Sequence, residues 1–133
     1  DTNTIPTWLQ EAVSSYVSIL NDCAYSYANH WKNAAHLIGD VARAGEIEKA
    51  LQAREPEQAF EGAELALMQY AEKLTLFPGD MVEGDVAALR DAGLDDGAIL
   101  EANQIICYFN YVNRSINGLG VTTAGDIVGY YAD

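Results

Sequence analysis

TWLQEAVSSYVSILNDCAYSYANH, residues 7–30, reads as two helices broken once. Trp8, Leu9, Val13, Tyr16, Val17 and Leu20 recur with a helical period, Thr7 followed by Gln10 forms a capping-box pattern just after Pro6, and Asn21-Asp22 stops the run. Asp22 then caps a second helix from Cys23 to about Ile38, closed by Gly39, with Tyr27, Trp31, Ala34, Ala35 and Ile38 as its packing positions. If the chain folds back at Asn21-Asp22, Glu11 lies about 15 Å from the turn along the first helix and His30 about 12 Å along the second, at ~1.5 Å per residue. The carboxylate and the imidazole are then level.

Helix signals dominate the chain as far as Gly118. A short helix is expected over Glu46 to Ala53 and a longer one from about Glu57 to Leu74, in which Leu65, Met68 and Ala71 repeat at spacing three. Phe77-Pro78-Gly79 breaks it. Asp80 and Glu83 start a helix that ends near Gly93, and Asp95 starts the last long one, Gly97 to Asn117, stopped by Gly118. The β-branched residues are scattered and no segment alternates with period two, so the expected fold is an all-α bundle of about six helices in one domain, residues 1–133. A chain of this length fits a single core, and no glycine- or serine-rich linker divides it.

Composition narrows the function classes. Twenty acids against seven bases give a formal charge of −13, a field that repels phosphate backbones and anionic lipid surfaces, so neither nucleic acid nor membrane is an expected partner. A mean hydropathy of −0.06 and apolar runs far shorter than a membrane span point to a soluble protein. Two cysteines do not make a disulfide scaffold, so a reducing cytoplasm is the simpler expectation. No secretory pattern opens the chain, and a start at Asp1 rather than methionine is compatible with trimming of a targeting segment.

Cys23, Ser26 and His30 stand at i, i+3 and i+7 on the second helix, within a sector of roughly 60° at 100° per residue. A thiol, a hydroxyl and an imidazole thus face one way. A carboxylate opposite the imidazole fixes its tautomer and raises its basicity, which suits a proton relay. Cys23 at the first turn feels the positive end of the helix dipole, which favours thiolate, while the neighbouring Asp22 opposes it. Taken singly, each residue has a plainer reading: Cys23 and Cys107 as small buried hydrophobes, the latter within the apolar run Ile105 to Phe109, His30 as a packing or surface residue, and Glu11 as a solvated charge. The eight tyrosines read as core and interface material. His36 lies about 240° round the helix from His30, so the two do not pair on a metal, and the site calls for no metal and no cofactor.

The ordered set Glu11-x11-Cys23-Ala-Tyr-Ser26-x3-His30 resembles the signature of the alkyl hydroperoxidase D and carboxymuconolactone decarboxylase superfamily, whose redox members carry Glu, then CxxC, then His at these spacings. Gly39-Asp40, Tyr70-Ala-Glu-Lys-Leu-Thr75, Asp85 to Arg90 with Gly93-Leu94, and Tyr108 to Arg114 followed by Gly118-Leu-Gly120 are similar to its peroxidase-related branch. The resemblance covers roughly residues 7 to 121. It implies an all-helical homo-oligomer, a dimer, trimer or hexamer, with a central antiparallel helix pair carrying the motif. It also implies a small hydroperoxide or other small organic substrate and an external thiol reductant. Carried over, Glu11 and His30 are the proton relay, Cys23 the partner thiol, and Ser26 stands where the attacking cysteine is expected.

A serine hydroxyl can neither donate electrons to peroxide nor hold oxygen as sulfenic acid. Ser26 therefore marks either a lost two-cysteine cycle or a Cys→Ser replacement that holds the reduced state. Relatives also carry a longer helical region before the glutamate helix than the ten residues that precede Glu11 here, so part of the pocket wall is expected to be absent or supplied by another subunit. Three readings follow: a peroxidase-like thiol oxidoreductase using Cys23, with Cys107 or an external thiol resolving it; a decarboxylase-like enzyme using Glu11 and His30 for acid-base work; and a non-catalytic oligomeric relative. The first is the leading expectation, with impaired peroxidase activity.

Overall fold

Two helices, α1 (Thr7–Leu20) and α2 (Ala24–Ile38), form from the opening stretch and pack against each other more extensively than any other pair. The computed structural model describes residues 4–131. Among these the chain adds α3 (Val41–Gln52), α4 (Gly62–Leu76), α5 (Glu83–Asp91) and α6 (Asp96–Leu119), with single 3-10 turns at Pro56–Gln58 and Pro78–Asp80 and no strand. The fold is an all-α bundle of six helices around a central antiparallel pair.

The centre of the bundle is α1, which touches α2, α3, α4 and α6. Its apolar stripe of Leu9, Val13, Tyr16, Val17 and Leu20 is buried, but so are Ser14, Ser15 and Ser18 on the opposite side. A helix enclosed all round needs its polar side chains satisfied internally. Each serine hydroxyl donates to the carbonyl four residues back, Gln10, Glu11 and Ser14 respectively, at 2.8 Å. Small serines thus let the neighbouring helices approach α1 closely without an unpaired hydroxyl. Around them Ile47, Leu51, Leu67, Met68, Leu89 and Ile106 close the core, each fully buried side chain contributing about 1.5–3 kcal/mol.

The helix ends differ from the sequence reading in instructive ways. Thr7 makes no capping bond; Pro6 holds the N-cap position, and the side chain of Gln10 instead donates to the Ile5 carbonyl at 2.7 Å. Asp22 does not cap α2. It sits in the left-handed region (φ +52) as the residue that terminates α1, its N–H on the Ile19 carbonyl and the N–H of Cys23 on the Ser18 carbonyl. Those two bonds are a Schellman closure, and the αL backbone it requires is one that aspartate tolerates. Cys23 is left as the N-cap of α2.

Further along, α3 starts at Val41, five residues before the expected Glu46, because the Asp40 carboxylate accepts the Arg43 N–H at 3.0 Å. Pro56 diverts the expected start of α4 into a 3-10 turn, so that α4 begins at Gly62. The Asp85 carboxylate accepts the Val82 N–H at 2.8 Å and pairs with Lys73 at 2.9 Å, which starts α5 and ties it to α4. Asp95 caps α6 as expected, but the helix runs through Gly118 and stops at Gly120 (φ +68).

Candidate active site between α1 and α2

Glu11 and His30 meet across the central pair. The Glu11 Oε2 to His30 Nδ1 distance is 2.7 Å, and both side chains remain about one fifth exposed (21% and 23%). With Glu11 ionised, Nδ1–H donates to the carboxylate and Nε2 is left as the ring's proton acceptor. Phe109 of α6 packs edge-on against the imidazole, with ring centroids 4.6 Å apart. One face of the ring is therefore fixed by an apolar wall and one nitrogen by a charge.

Ser26, one turn before His30, is 2% exposed, and its hydroxyl meets that of Ser18 at 2.8 Å. Because the single Ser18 proton goes to the Ser14 carbonyl, Ser18 Oγ receives the Ser26 hydroxyl, and Asn113 Nδ2 stands 3.4 Å away as a second donor. Cys23 is 1% exposed and lines a cavity of about 190 Å³ with Ser18, Ile19, Asp22, Ala24, Tyr27 and Gln52. At ~30 Å³ per water this is room for about six waters, or one small molecule. Glu11, Ser26 and His30 do not line that cavity. The structure thus forms an acid-base pair and a thiol cavity, and Ser18 is common to the cavity wall and the Ser26 hydrogen bond.

The ring of Tyr27 borders the thiol cavity, and burial, followed by its hydrogen bond to Glu48, pushes its phenol above the ordinary range. Tyr16 is raised in the same way, by burial and then by Glu72. Both are neutral donors at physiological pH. Tyr70 is also buried, whereas Tyr108, Tyr111 and Tyr130 are largely exposed. Cys107 is not the buried hydrophobe that its apolar run suggests. In α6 the inward positions are Ile99, Ala102, Ile106 and Asn113, and Cys107, about 100° further round than Ile106, faces solvent.

Sequence reasoning missed the polar girdle beneath the site. Asn110, Asn113 and Asn117 stand at i, i+3 and i+7 on α6, and this spacing was the available signal. Asn21 Nδ2 donates to Asn110 Oδ1 at 3.0 Å and to Asn113 Oδ1 at 3.2 Å, and Asn117 Nδ2 donates to the Asn21 carbonyl at 3.2 Å. These amides hold the α1–α2 turn, and with it Cys23, against α6. Among the described residues no group of three or more His, Cys, Asp or Glu side chains is gathered to hold a metal, and no helix is long and apolar enough to cross a membrane.

No family model and no curated protein matches the sequence. Among solved structures, the crystal structure of an uncharacterized peroxidase-related protein from Silicibacter sp. TM1040 superposes with a TM-score of 0.81 at 21% sequence identity, over 90% of this chain and 61% of that one. The likeness shows the fold. The chain spans about three fifths of the length of that protein.

Proposed function

We propose that this chain is a peroxidase-related thiol oxidoreductase of the alkyl hydroperoxidase D-like type, in which Glu11 and His30 relay protons and Cys23 is the reacting sulfur. The observation that carries the reading is the 2.7 Å contact between Glu11 and His30 on the same helix pair as a buried thiol with its own cavity. The thiolate of Cys23 attacks one oxygen of a small hydroperoxide and the O–O bond breaks. The sulfur, oxidised by two electrons, becomes sulfenic acid, and the released alkoxide takes a proton from the relay and leaves as alcohol. Two external thiols then return the sulfenic acid to thiol, giving one disulfide and one water. Ser26 cannot serve as the resolving or attacking sulfur, so turnover is slow compared with a two-cysteine cycle.

A second reading is an acid-base enzyme of the carboxymuconolactone decarboxylase kind, with Glu11 and His30 acting on a small organic substrate and no thiol needed. It is favoured by the burial of Cys23 and by the absence of His30 from the cavity beside it. Hydroperoxide consumption with a thiol reductant separates the two. The first reading expects turnover that is lost in both Cys23→Ala and His30→Ala; an activity that survives Cys23→Ala and dies in His30→Ala selects the second. A homo-oligomer and a cytoplasmic setting accompany either reading, and no gain in peroxidase activity on Ser26→Cys favours a non-catalytic relative.

A further inference from the structure

After α6 the chain turns back and lies along α2. The N–H of Gly129 donates to Asn29 Oδ1 at 3.0 Å, the N–H of Tyr130 donates to Asn33 Oδ1, and the Tyr131 ring stacks on His36 with centroids 4.6 Å apart and planes 11° apart. Positions 29, 33 and 36 share one face of α2, so the segment runs along that face towards the end of the helix. Gly129 has φ +90, and a Cβ there would lie 2.9 Å from Lys32 Cδ. Only glycine fits so close an approach in that conformation. Asn33 is 5% exposed, which makes its amide a buried latch for the main chain. The side chains of Ile127 and Tyr130, by contrast, are 88% and 85% exposed and add little anchorage.

Asn29 and Asn33 stand on either side of His30 in the chain, and Asn33 lies about one turn on and roughly 60° round the helix from it. Glu11 and Phe109 already occupy two sides of the ring. We infer that residues 129–131 form a strap that walls a third side of the His30 imidazole, so that its release from Asn29 and Asn33 governs access to the Glu11–His30 pair. Among the described residues the segment is anchored by main-chain hydrogen bonds and a ring stack and not by buried apolar side chains, and a segment of that kind opens at a fraction of the free energy of global unfolding. Opening is thus a local event that leaves the bundle intact. Access to the ring does not depend on what the pair catalyses; only the consequence for turnover rests on the function proposed above.

Carbethoxylation by diethyl pyrocarbonate reads imidazole access without any turnover, and mass spectrometry resolves His30 from His36. Gly129→Ala forces the strap off α2, and Asn29→Ala removes one latch without altering its backbone. Both variants are expected to modify His36 faster, which reports release, and to modify His30 at least fivefold faster than the parent protein. Faster modification of His36 with His30 unchanged would overturn the inference, because the strap would then be off without opening the site. No acceleration at either histidine in both variants would overturn it too, because the latch would not be the one described.

Discussion

At the scale of single residues, the site is organised by which side chains carry protons and which are locked. Tyr16 and Tyr27 are raised by burial first and by a carboxylate partner second, so each stays protonated in the folded protein where a free phenol would ionise. A raised folded-state value contributes fully below the unfolded value near 10, and stability falls as pH climbs above it, because only the unfolded chain then releases the proton. Tyrosinate absorbance at pH 11 should therefore show at least two of the eight tyrosines ionising only when denaturant is added; simultaneous ionisation of all eight would contradict the environments described. Ser26→Cys supplies the missing sulfur next to Ser18 and should raise thiol-dependent peroxide turnover by about tenfold or more, measured against the parent protein. The level placement of Glu11 and His30 was legible because helical rise from the break is simple arithmetic. Ser18 was not legible, because a serine in a helix interior looks solvated until the neighbours that bury it are known.

At the scale of elements, the apolar period of 3.6 was enough to find all six helices, whereas their ends were decided by residues that carry two signals at once. Asp22 reads as a cap for the helix that follows, yet the geometry of a two-residue break recruits it to close the helix before. Gly39 signals a stop, and the start of α3 lies in the Asp40 that follows it, whose carboxylate accepts the Arg43 N–H. The same closure recurs after α3, where Arg54 takes φ +57 with its N–H on the Leu51 carbonyl at 3.0 Å. Arginine pays a steric cost there that glycine does not, so Arg54→Gly should stabilise the protein by about 0.5–1 kcal/mol in denaturant unfolding. Asn113 works in the opposite direction. It is fully buried, and Asn113→Ala leaves Asn21 and Ser18 short of a partner, so it should cost about 1–3 kcal/mol in the same measurement.

At the scale of the whole molecule, a strongly acidic surface surrounds a core that meets at α1. Leu51 comes from α3 but is fully buried in that core, and Leu51→Ala should cost about 2–5 kcal/mol. The carboxyl of Asp85 is held below its ordinary range by the Val82 N–H and then by Lys73. A depressed value contributes at neutral pH and is lost as pH falls below the ordinary carboxylate range, so Asp85→Asn should flatten the acid limb of the stability curve while the parent protein keeps it. The fold and the site depend on the same few helices: the asparagines of α6 hold Ser18 and the α1–α2 turn, and Glu11 and His30 meet across the α1–α2 pair. The central claim is that this arrangement serves the sulfur at position 23. Mass spectrometry of trapped sulfenic acid after a brief exposure to a small hydroperoxide tests it directly: oxidation at Cys23 should be seen in the parent protein and fall by about 10²-fold or more in Glu11→Gln and His30→Ala, whereas oxidation confined to Cys107, or oxidation of Cys23 indifferent to both substitutions, would contradict it.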